Sequence, residues 1–120
     1  MSRIHVIAPG LLTTVQDLGR FGWTHFGISA SGAADALALR AGNLLVGNAE
    51  NAAALEMTLS GAELGFDGNV TVAITGSDFG AGLPLWTPFS CAADSRCGLG
   101  RRNPGRERIW RCAAGSTCRG

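Results

Sequence analysis

The sequence contains no lysine, although it contains ten arginines. One glycine-rich segment, TGSDFGAG at residues 75–82, follows an apolar stretch as a phosphate-binding loop follows a strand. It lacks the GK[ST] ending of a P-loop, and it lacks the GxGxxG pattern of dinucleotide-binding turns. The segment therefore carries only a weak signal for phosphate binding.

Long apolar runs and a leader sequence are also missing. No stretch reaches the about 18 uninterrupted apolar residues of a membrane span, and a proline–glycine pair at residues 9–10 interrupts the apolar run near the N-terminus. The two histidines, His5 and His25, are isolated and show neither HxH nor HxxxH spacing. We therefore expect a cytoplasmic chain without a signal peptide, a membrane partner or a histidine-based metal site.

Short segments of alternating apolar and β-branched residues predict a mostly β fold. Residues 11–27 are glycine-rich and predict a turn-rich segment with one short extended or helical piece. Residues 83–89 contain two prolines and form at most an edge strand or a loop. The predicted strands cover residues 4–7, 54–59, 63–66 and 70–75.

One helix is predicted over residues 31–48. Ser31 is the predicted N-cap, and Asp35 would lie near the positive end of the helix dipole. Three leucines at a helical period, Leu37, Leu44 and Leu45, predict its apolar face, and a Gly-Asn pair at 47–48 predicts its end. The fold class is therefore mostly β with one helix (α+β).

Four collinear motifs resemble the biotin-dependent carboxyltransferase family, also called allophanate hydrolase subunit 2 or the C subunit of 5-oxoprolinase, to which the kinase-inhibitor antagonist KipA belongs. The resemblance covers about residues 3–89, the N-terminal part of such a protein. Two departures are mild, because family members usually have methionine at the position of Ala34 and proline near Ser29. The motifs are PGLLTTVQDLGRFG (9–22), FGISASGAADALALRAGNLLVGN (26–48), AALEMTLSGAELGF (53–66) and VAITGSDFGA (72–81).

The resemblance implies an incomplete cyclophilin-like β-barrel and a KipI-like (B-type) partner protein. It favours the role of a 5-oxoprolinase C-type component, the ATP-dependent opening of the lactam 5-oxoproline to glutamate, with ATP used by the assembled enzyme. One alternative is biotin-dependent carboxyl transfer to urea or a related amide. The chain has no lysine to carry biotin, so biotin would then arrive on a partner. A second alternative is a non-catalytic antagonist of a kinase inhibitor.

Gln16, Asp17 and Arg20 lie within five residues of each other in the motif TTVQDLGR. A guanidinium offers a planar donor fork to a carboxylate or carbonyl, and an amide both donates and accepts. We therefore expect Gln16 and Arg20 to bind a small amide or lactam substrate and Asp17 to be catalytic. The alternative is structural: an Asp17–Arg20 pair, or an Asx turn that holds the loop before Gly19.

Three further polar residues are candidates for the site. Glu56 stands in the apolar stretch ALEMTL, where a buried carboxylate is a general acid or base candidate; the alternative is a salt bridge to Arg20 or Arg40. Asn43 is a poor mid-helix residue and is expected to bind a loop or the substrate. Asp35 is a substrate-binding candidate as well as a favourable acid at the helix start.

The last thirty residues differ in composition from the rest of the chain. Residues 1–90 carry a net charge of −4 (three arginines, seven acids), and residues 91–120 carry +5 (seven arginines, two acids). The Cys-x5-Cys spacings do not match the C-x2–4-C pairs of structural zinc sites, and no aromatic platform accompanies the arginines. We therefore expect neither a metal nor a nucleic-acid partner. The tail also contains all four cysteines, at positions 91, 97, 112 and 118.

A shifted reading frame accounts for this tail. When each codon boundary from Cys91 onward is moved by two bases, GC-rich codons give RRGQPLRLGAAQPGARAYLAVRGGLDVP. Its segment AYLAVRGG, from residues 107–114, is how the resembled family continues. We hypothesise that residues 1–90 are the N-terminal part of a carboxyltransferase/5-oxoprolinase C-type domain and that residues 91–120 are a frameshifted, non-native tail. We then expect a disordered or loosely attached tail, little cooperative unfolding and an inactive fragment.

Overall fold

This computed structural model describes residues 2–80 and 82–100. They contain one α-helix and seven short strands, which form three antiparallel sheets. A 3₁₀ turn, Thr24–Phe26, precedes the helix α1, Ala36–Leu45. The strands are β1 (Ile4–Ala8), β2 (Leu12–Gln16), β3 (Ala54–Thr58), β4 (Glu63–Phe66), β5 (Val70–Val72), β6 (Phe89–Cys91) and β7 (Arg96–Gly98).

The sheets are small and have open edges. One has the strand order β1-β4-β7, and the other two pair β2 with β3 and β5 with β6. The predicted mostly β fold with one helix is confirmed, and the described strands do not close into a barrel. In the described part of the chain, no helix is long and apolar enough to span a membrane.

The strand predictions for residues 4–7, 54–59 and 63–66 are confirmed within one residue at each end. The strand predicted over 70–75 is shorter, because β5 ends at Val72, which pairs with Phe89. The next residue in register is Pro88, which has no N–H to donate to the ladder. Residues 11–27 contain both a short strand and a short helical turn.

The helix begins five residues later than predicted, and Ser31 is not its N-cap. Asp35 is the N-cap: its backbone is extended (φ −118°, ψ 90°) and its Oδ1 accepts a hydrogen bond from the Ala38 N–H at 2.9 Å. Ser31 instead has a φ of 51°, in the left-handed region. The predicted stop is confirmed, because Gly47 has a φ of 80° and donates to the Leu44 carbonyl.

The predicted leucine face of α1 is wrong. Leu37 and Leu44 are 74% and 59% exposed, whereas Ala38 and Leu39 are buried. The buried residues of the helix are Ala38, Leu39 and Asn43. The Thr75 hydroxyl donates to the Ala38 carbonyl at 2.7 Å, and this contact with the helix backbone holds the side of Ala38 inward.

The core lies under β4. Its buried members come from β4, β6 and β7 and from the residue just before β4, and partly buried residues of β3 and β5 pack against it. Phe66, 3% exposed, is its largest buried side chain. The buried members are Ala62, Leu64, Phe66, Cys91 and Cys97.

Residues 91–100 belong to the fold, so the expectation of a disordered or loosely attached tail is wrong for this segment. Cys91 is 0% exposed, Cys97 is 3% exposed, and β7 pairs with β4. Ladder hydrogen bonds come from the backbone and a cysteine side chain is small and apolar, so the segment pairs without a strand-like sequence. Cys112, Cys118 and the tail arginines beyond residue 100 lie outside the described residues.

The described residues leave many large apolar side chains facing solvent. Both faces of β1 are exposed along its length. The side chains that are at least 67% exposed are Leu11, Val15, Phe21, Phe26, Leu37 and Leu59.

Candidate functional site

A cleft lies where the end of β2 meets the segment that leads into α1. Its volume is about 260 Å³. It combines one cation, one anion, one amide and one hydroxyl with apolar and glycine backbone surface. The lining residues are Val15, Gln16, Asp17, Gly19, Arg20, Ser31, Gly32 and Ala53.

Two backbone hydrogen bonds join the two segments that form the cleft. The Ala33 N–H donates to the Asp17 carbonyl at 2.8 Å, and the Arg20 N–H donates to the Ala30 carbonyl at 2.6 Å. Both bonds connect residues at least ten positions apart in the chain. The segments 17–20 and 30–33 therefore hold each other in place without help from a ligand.

The segments cross at two glycines. Gly19 and Gly32 have φ values of +87° and +94°, which side-chain-bearing residues rarely adopt. A Cβ on Gly32 would lie 2.8 Å from the Gly19 nitrogen, and one on Gly19 would lie 2.5 Å from the Ala30 carbonyl oxygen. The close approach that shapes the cleft therefore requires glycine at both positions.

Asp17 forms the Asx turn that the sequence left as an alternative. Its Oδ1 accepts a hydrogen bond from the Gly19 N–H at 2.7 Å, and the side chain is exposed on the cleft. Within residues 2–80 and 82–100 it forms no salt bridge with Arg20. The turn occupies one carboxylate oxygen, and the other has no hydrogen bond within the described chain.

Gln16 is half-buried at the floor of the cleft. Its Nε2 donates to the Thr14 hydroxyl at 3.2 Å, which orients the amide along β2. An amide nitrogen carries two hydrogens and the oxygen accepts twice, so one N–H and the carbonyl oxygen are left for a ligand. Gln16 thus presents a donor and an acceptor side by side.

Arg20 contacts one serine, and through it a second, and the sequence identified neither as a site residue. Its Nη2 lies 3.5 Å from the Ser31 Oγ, and the Ser31 Oγ lies 3.0 Å from the Ser29 Oγ. Ser31 was predicted as a helix cap, and Ser29 stands where the resembled family has proline. The sequence signal that could have identified these two serines is the pattern Ser-Ala-Ser directly before Gly32. One hydroxyl of such a pair can point toward the facing segment, residues 17–20.

Two of the predicted substrate-binding residues lie outside the lining of the cleft and have structural contacts. Asp35 caps the helix through Ala38. Asn43 is 4% exposed, and its Nδ2 donates to the carbonyls of Glu50 at 3.1 Å and Ala52 at 2.8 Å. Asn43 therefore ties the helix to the following loop, which is the loop-binding role named among its alternatives.

Glu56 is half-buried rather than buried, and it supports the wall of the cleft. Its Oε2 accepts a hydrogen bond from the Ala34 N–H at 2.8 Å. In the described chain it forms no salt bridge with Arg20 or Arg40, and Arg40 instead lies near Glu50, with Nε and Oε2 3.9 Å apart. The carboxylate thus fixes the segment between Gly32 and α1 against β3.

The remaining candidates do not join the cleft. His5 lies 4.0 Å from the Asp67 carboxylate and His25 stacks on Phe26 with ring centroids 4.1 Å apart, both away from the cleft lining. The described residues contain no group of three or more His, Cys, Asp or Glu side chains that could hold a metal ion.

The glycine-rich loop after β5 does not fit a phosphate. The Gly80 N–H, which a phosphate-binding loop would point at its ligand, donates to Asp78 Oδ1 at 2.7 Å. The carboxylate occupies this amide and adds a negative charge where a phosphate would have to lie.

Comparison with known proteins places the chain in a family. Residues 26–115 match the family described as "Carboxyltransferase domain, subdomain A and B". The match covers more than half of the chain, and the chain belongs to this family. The resemblance found in the motifs is confirmed at this level.

The chain is similar to curated proteins that are much longer. It is 56% identical over 64 residues to the 5-oxoprolinase C subunit of Haemophilus influenzae, which covers 53% of the chain and 21% of that protein. It is 46% identical over 87 residues to the 5-oxoprolinase C subunit of Escherichia coli, covering 70% and 28%. A urea amidolyase of Saccharomyces cerevisiae is 32% identical over 108 residues, covering 85% and 6%. The chain thus spans 28% or less of the length of these relatives.

Solved structures show the same fold. The crystal structure of TTHA0988 matches with a TM-score of 0.78 and 32% identity, covering 88% of the chain and 22% of that protein. The crystal structure of the K. lactis urea amidolyase matches with a TM-score of 0.74 and 32% identity, covering 82% and 6%. The arrangement of strands and helix described above therefore also occurs as a part of these two larger solved proteins.

Proposed function

We propose that the chain is part of a 5-oxoprolinase C-type protein, which opens 5-oxoproline to glutamate with ATP and partner proteins. This choice rests on the sequence identities to the two kinds of relative. Two 5-oxoprolinase components are 56% and 46% identical to the chain, whereas two urea amidolyases are 43% and 32% identical.

The chemistry of the cleft supports a small lactam as the ligand. A lactam holds its amide in the cis form, so its N–H and carbonyl lie on one edge, and the Gln16 amide offers the matching acceptor and donor. Val15 and Ala53 provide apolar surface for the methylene groups of the ring. A volume of about 260 Å³ is below the roughly 300–1,000 Å³ of pockets for drug-sized ligands, which suits a five-membered ring.

We assign different roles to the two predicted catalytic carboxylates. Asp17 lines the cleft and keeps one oxygen without a hydrogen bond in the described chain, so it is the acid–base candidate for opening the lactam. Glu56 is engaged by the Ala34 amide and is not part of the cleft lining, so it is a positioning residue.

ATP and the partner are parts of the same proposal. The loop after β5 is unsuited to a phosphate because Asp78 occupies it, so we assign ATP to the assembled enzyme rather than to residues 2–80 and 82–100. A KipI-like, B-type protein is the proposed partner. The two bacterial relatives are named as the C component of a multi-subunit enzyme, which is in keeping with such an assembly.

We further propose that the chain is an inactive fragment of an incomplete cyclophilin-like β-barrel, with a shifted frame from residue 91. Three small sheets with open edges and large exposed leucines and aromatics support the incomplete barrel. The family match runs on to residue 115 in the frame as it stands, so the support for a shift is the family-like segment AYLAVRGG that the shifted frame produces. Sequencing the gene around the codon of Ser90 tests it, and an uninterrupted frame without a nearby insertion or deletion would refute it.

Carboxyl transfer to urea or a related amide is the second candidate. It is favoured by the similarity to urea amidolyases and by the TM-score of 0.74 to one of them. The chain has no lysine, so carboxybiotin would have to be delivered by a partner.

One experiment separates the two enzymes. A frame-restored chain is combined with its partner proteins, and glutamate formation from 5-oxoproline and ATP is compared with carboxylation of urea from carboxybiotin. We expect glutamate formation that requires ATP, and no urea carboxylation. Urea carboxylation without 5-oxoproline turnover would replace the proposed function, and partner binding with neither reaction would indicate a non-catalytic protein.

A further inference from the structure

We propose that Arg20, Ser29 and Ser31 form a carboxylate-binding subsite at one end of the cleft. The inference rests on the proposed function and deepens it, because it names the feature that a substrate must carry beside its amide. The ligand is a small cyclic amide with a carboxylate on the carbon next to the ring nitrogen.

Arg20 has a charge that its neighbours do not neutralise. Arg40 and Arg96 each lie 3.9 Å from a glutamate, whereas Arg20 forms no salt bridge with any residue of the described chain. Its side-chain contact is with the Ser31 hydroxyl at 3.5 Å. A guanidinium has five N–H donors, so this contact leaves a donor fork that fits a carboxylate.

The two serines add hydroxyl donors beside the guanidinium. Their oxygens lie 3.0 Å apart, so one hydroxyl donates to the other and the second hydroxyl keeps its hydrogen for a ligand. Ser31 has a φ of 51°, a conformation that residues with a side chain seldom adopt. A glycine would adopt this conformation more easily, but Ser31 also brings a hydroxyl to the cleft.

The backbone of the subsite is held in place before any ligand arrives. The Arg20 N–H donates to the Ala30 carbonyl at 2.6 Å, which fixes the arginine backbone directly beside the two serines. A backbone that is held in place does not have to be ordered by the ligand, and this improves affinity.

Asp17 determines which way round the ligand lies. It places a negative charge in the same cleft, with Oδ1 engaged by the Gly19 amide. A ligand carboxylate is repelled by Asp17 and attracted by Arg20. The carboxylate therefore lies at the serine end, and the lactam amide lies toward Gln16 and Asp17.

The test compares ligands on the unaltered 120-residue chain. The probes are 5-oxoproline and 2-pyrrolidinone, which has the same lactam ring without the carboxylate, and binding is followed by NMR titration of backbone amides. Charge-assisted hydrogen bonds predict that 5-oxoproline binds at least about tenfold more tightly. The largest shifts should occur at Arg20 and Ser31. Equal affinities, or no binding of either probe, would overturn the subsite.

Variants then assign the preference to the arginine. R20Q should bring the two affinities together, and S31A should reduce the difference between them. R40Q is the matched control, because Arg40 is also exposed but lies near Glu50 outside the cleft lining. Retained discrimination in R20Q would refute the assignment. The wild-type comparison of ligands does not depend on how any variant folds.

The outcomes also separate this inference from the proposed function. A carboxylate preference that depends on Arg20, together with no 5-oxoproline turnover by the assembled enzyme, would refute the function and leave the subsite standing. Turnover with the same KM for 5-oxoproline in R20Q would support the function and refute the subsite.

Discussion

Replacing Gly32 with alanine should open the crossing that shapes the cleft. A Cβ at this position would lie 2.8 Å from the Gly19 nitrogen and 2.8 Å from the Leu18 carbonyl carbon. These are backbone atoms, which cannot rotate away as a flexible side chain would. The two segments must therefore separate, and the hydrogen bonds between them must weaken.

The matched control is Gly22→Ala. Gly22 has a φ of +85°, close to the +94° of Gly32, but a Cβ there would meet nothing within 4 Å. Both substitutions incur the roughly 1–2 kcal/mol that a side chain costs in the left-handed region. The Gly32 variant additionally loses the two crossing hydrogen bonds, each worth about 0.5–1.5 kcal/mol, or about 1–3 kcal/mol together.

Amide hydrogen exchange measures this difference where it occurs. The donors of the two bonds are the amides of Ala33 and Arg20. We expect their protection to fall roughly 5- to 150-fold more in Gly32→Ala than in Gly22→Ala. Equal losses in the two variants would show that the backbone conformation alone matters, and the close crossing would then be refuted.

Further expectations follow from buried and capping residues. Phe66→Ala removes the largest core side chain and should destabilise the fold by about 3–5 kcal/mol, so NMR amide dispersion should collapse. Phe21 is 74% exposed, and Phe21→Ala should leave the dispersion intact. Asn43→Ala should cost about 1–3 kcal/mol by removing the side-chain donor of two part-buried hydrogen bonds, to the carbonyls of Glu50 and Ala52, whereas exposed Asn51→Ala should change exchange rates in residues 49–52 little. Asp35→Ala should cost about 0.5–2 kcal/mol and unprotect the Ala38 amide, and Asp35→Asn should preserve it. Heating the 120-residue chain should give a broad change without a cooperative midpoint, and a sharp reversible transition would contradict this.

Alternating strands were predictable from sequence because their pattern is local. The segments at residues 4–7 and 63–66 alternate in side-chain type or end at turn residues, and the structure has a strand at both places. The pairing of Val72 with Phe89 was not predictable, since it joins residues 17 positions apart. Its end at Pro88 follows from the missing N–H once that partner is known.

The helix start and face were wrong because tertiary contacts determine them. Ser31 is a good N-cap by residue type, but the crossing with Gly19 holds it at a positive φ. Likewise, Leu37 and Leu44 form an apolar period, but the hydrogen bond between Thr75 and the Ala38 carbonyl holds the side of Ala38 and Leu39 inward. Neither contact leaves a signal in the local sequence.

The cleft was partly predictable. Gln16, Asp17 and Arg20 line it together, as their spacing indicated, and the Asx turn of Asp17 was among the alternatives. Ser29 and Ser31 join them through a fold-dependent crossing, which sequence spacing does not reveal. The substrate and catalytic roles of these residues stay predictions until binding and turnover are measured.

The account depends most on the claim that the family sequence continues after residue 90 in another reading frame. Tryptic mass spectrometry of the protein from its source cells tests this directly. We predict a peptide of the shifted frame, such as AYLAVR, in the same protein band as peptides from residues 1–90, at a size well above that of 120 residues. The peptide CAAGSTCR, found in a band of the 120-residue size without any shifted-frame peptide, would contradict the account.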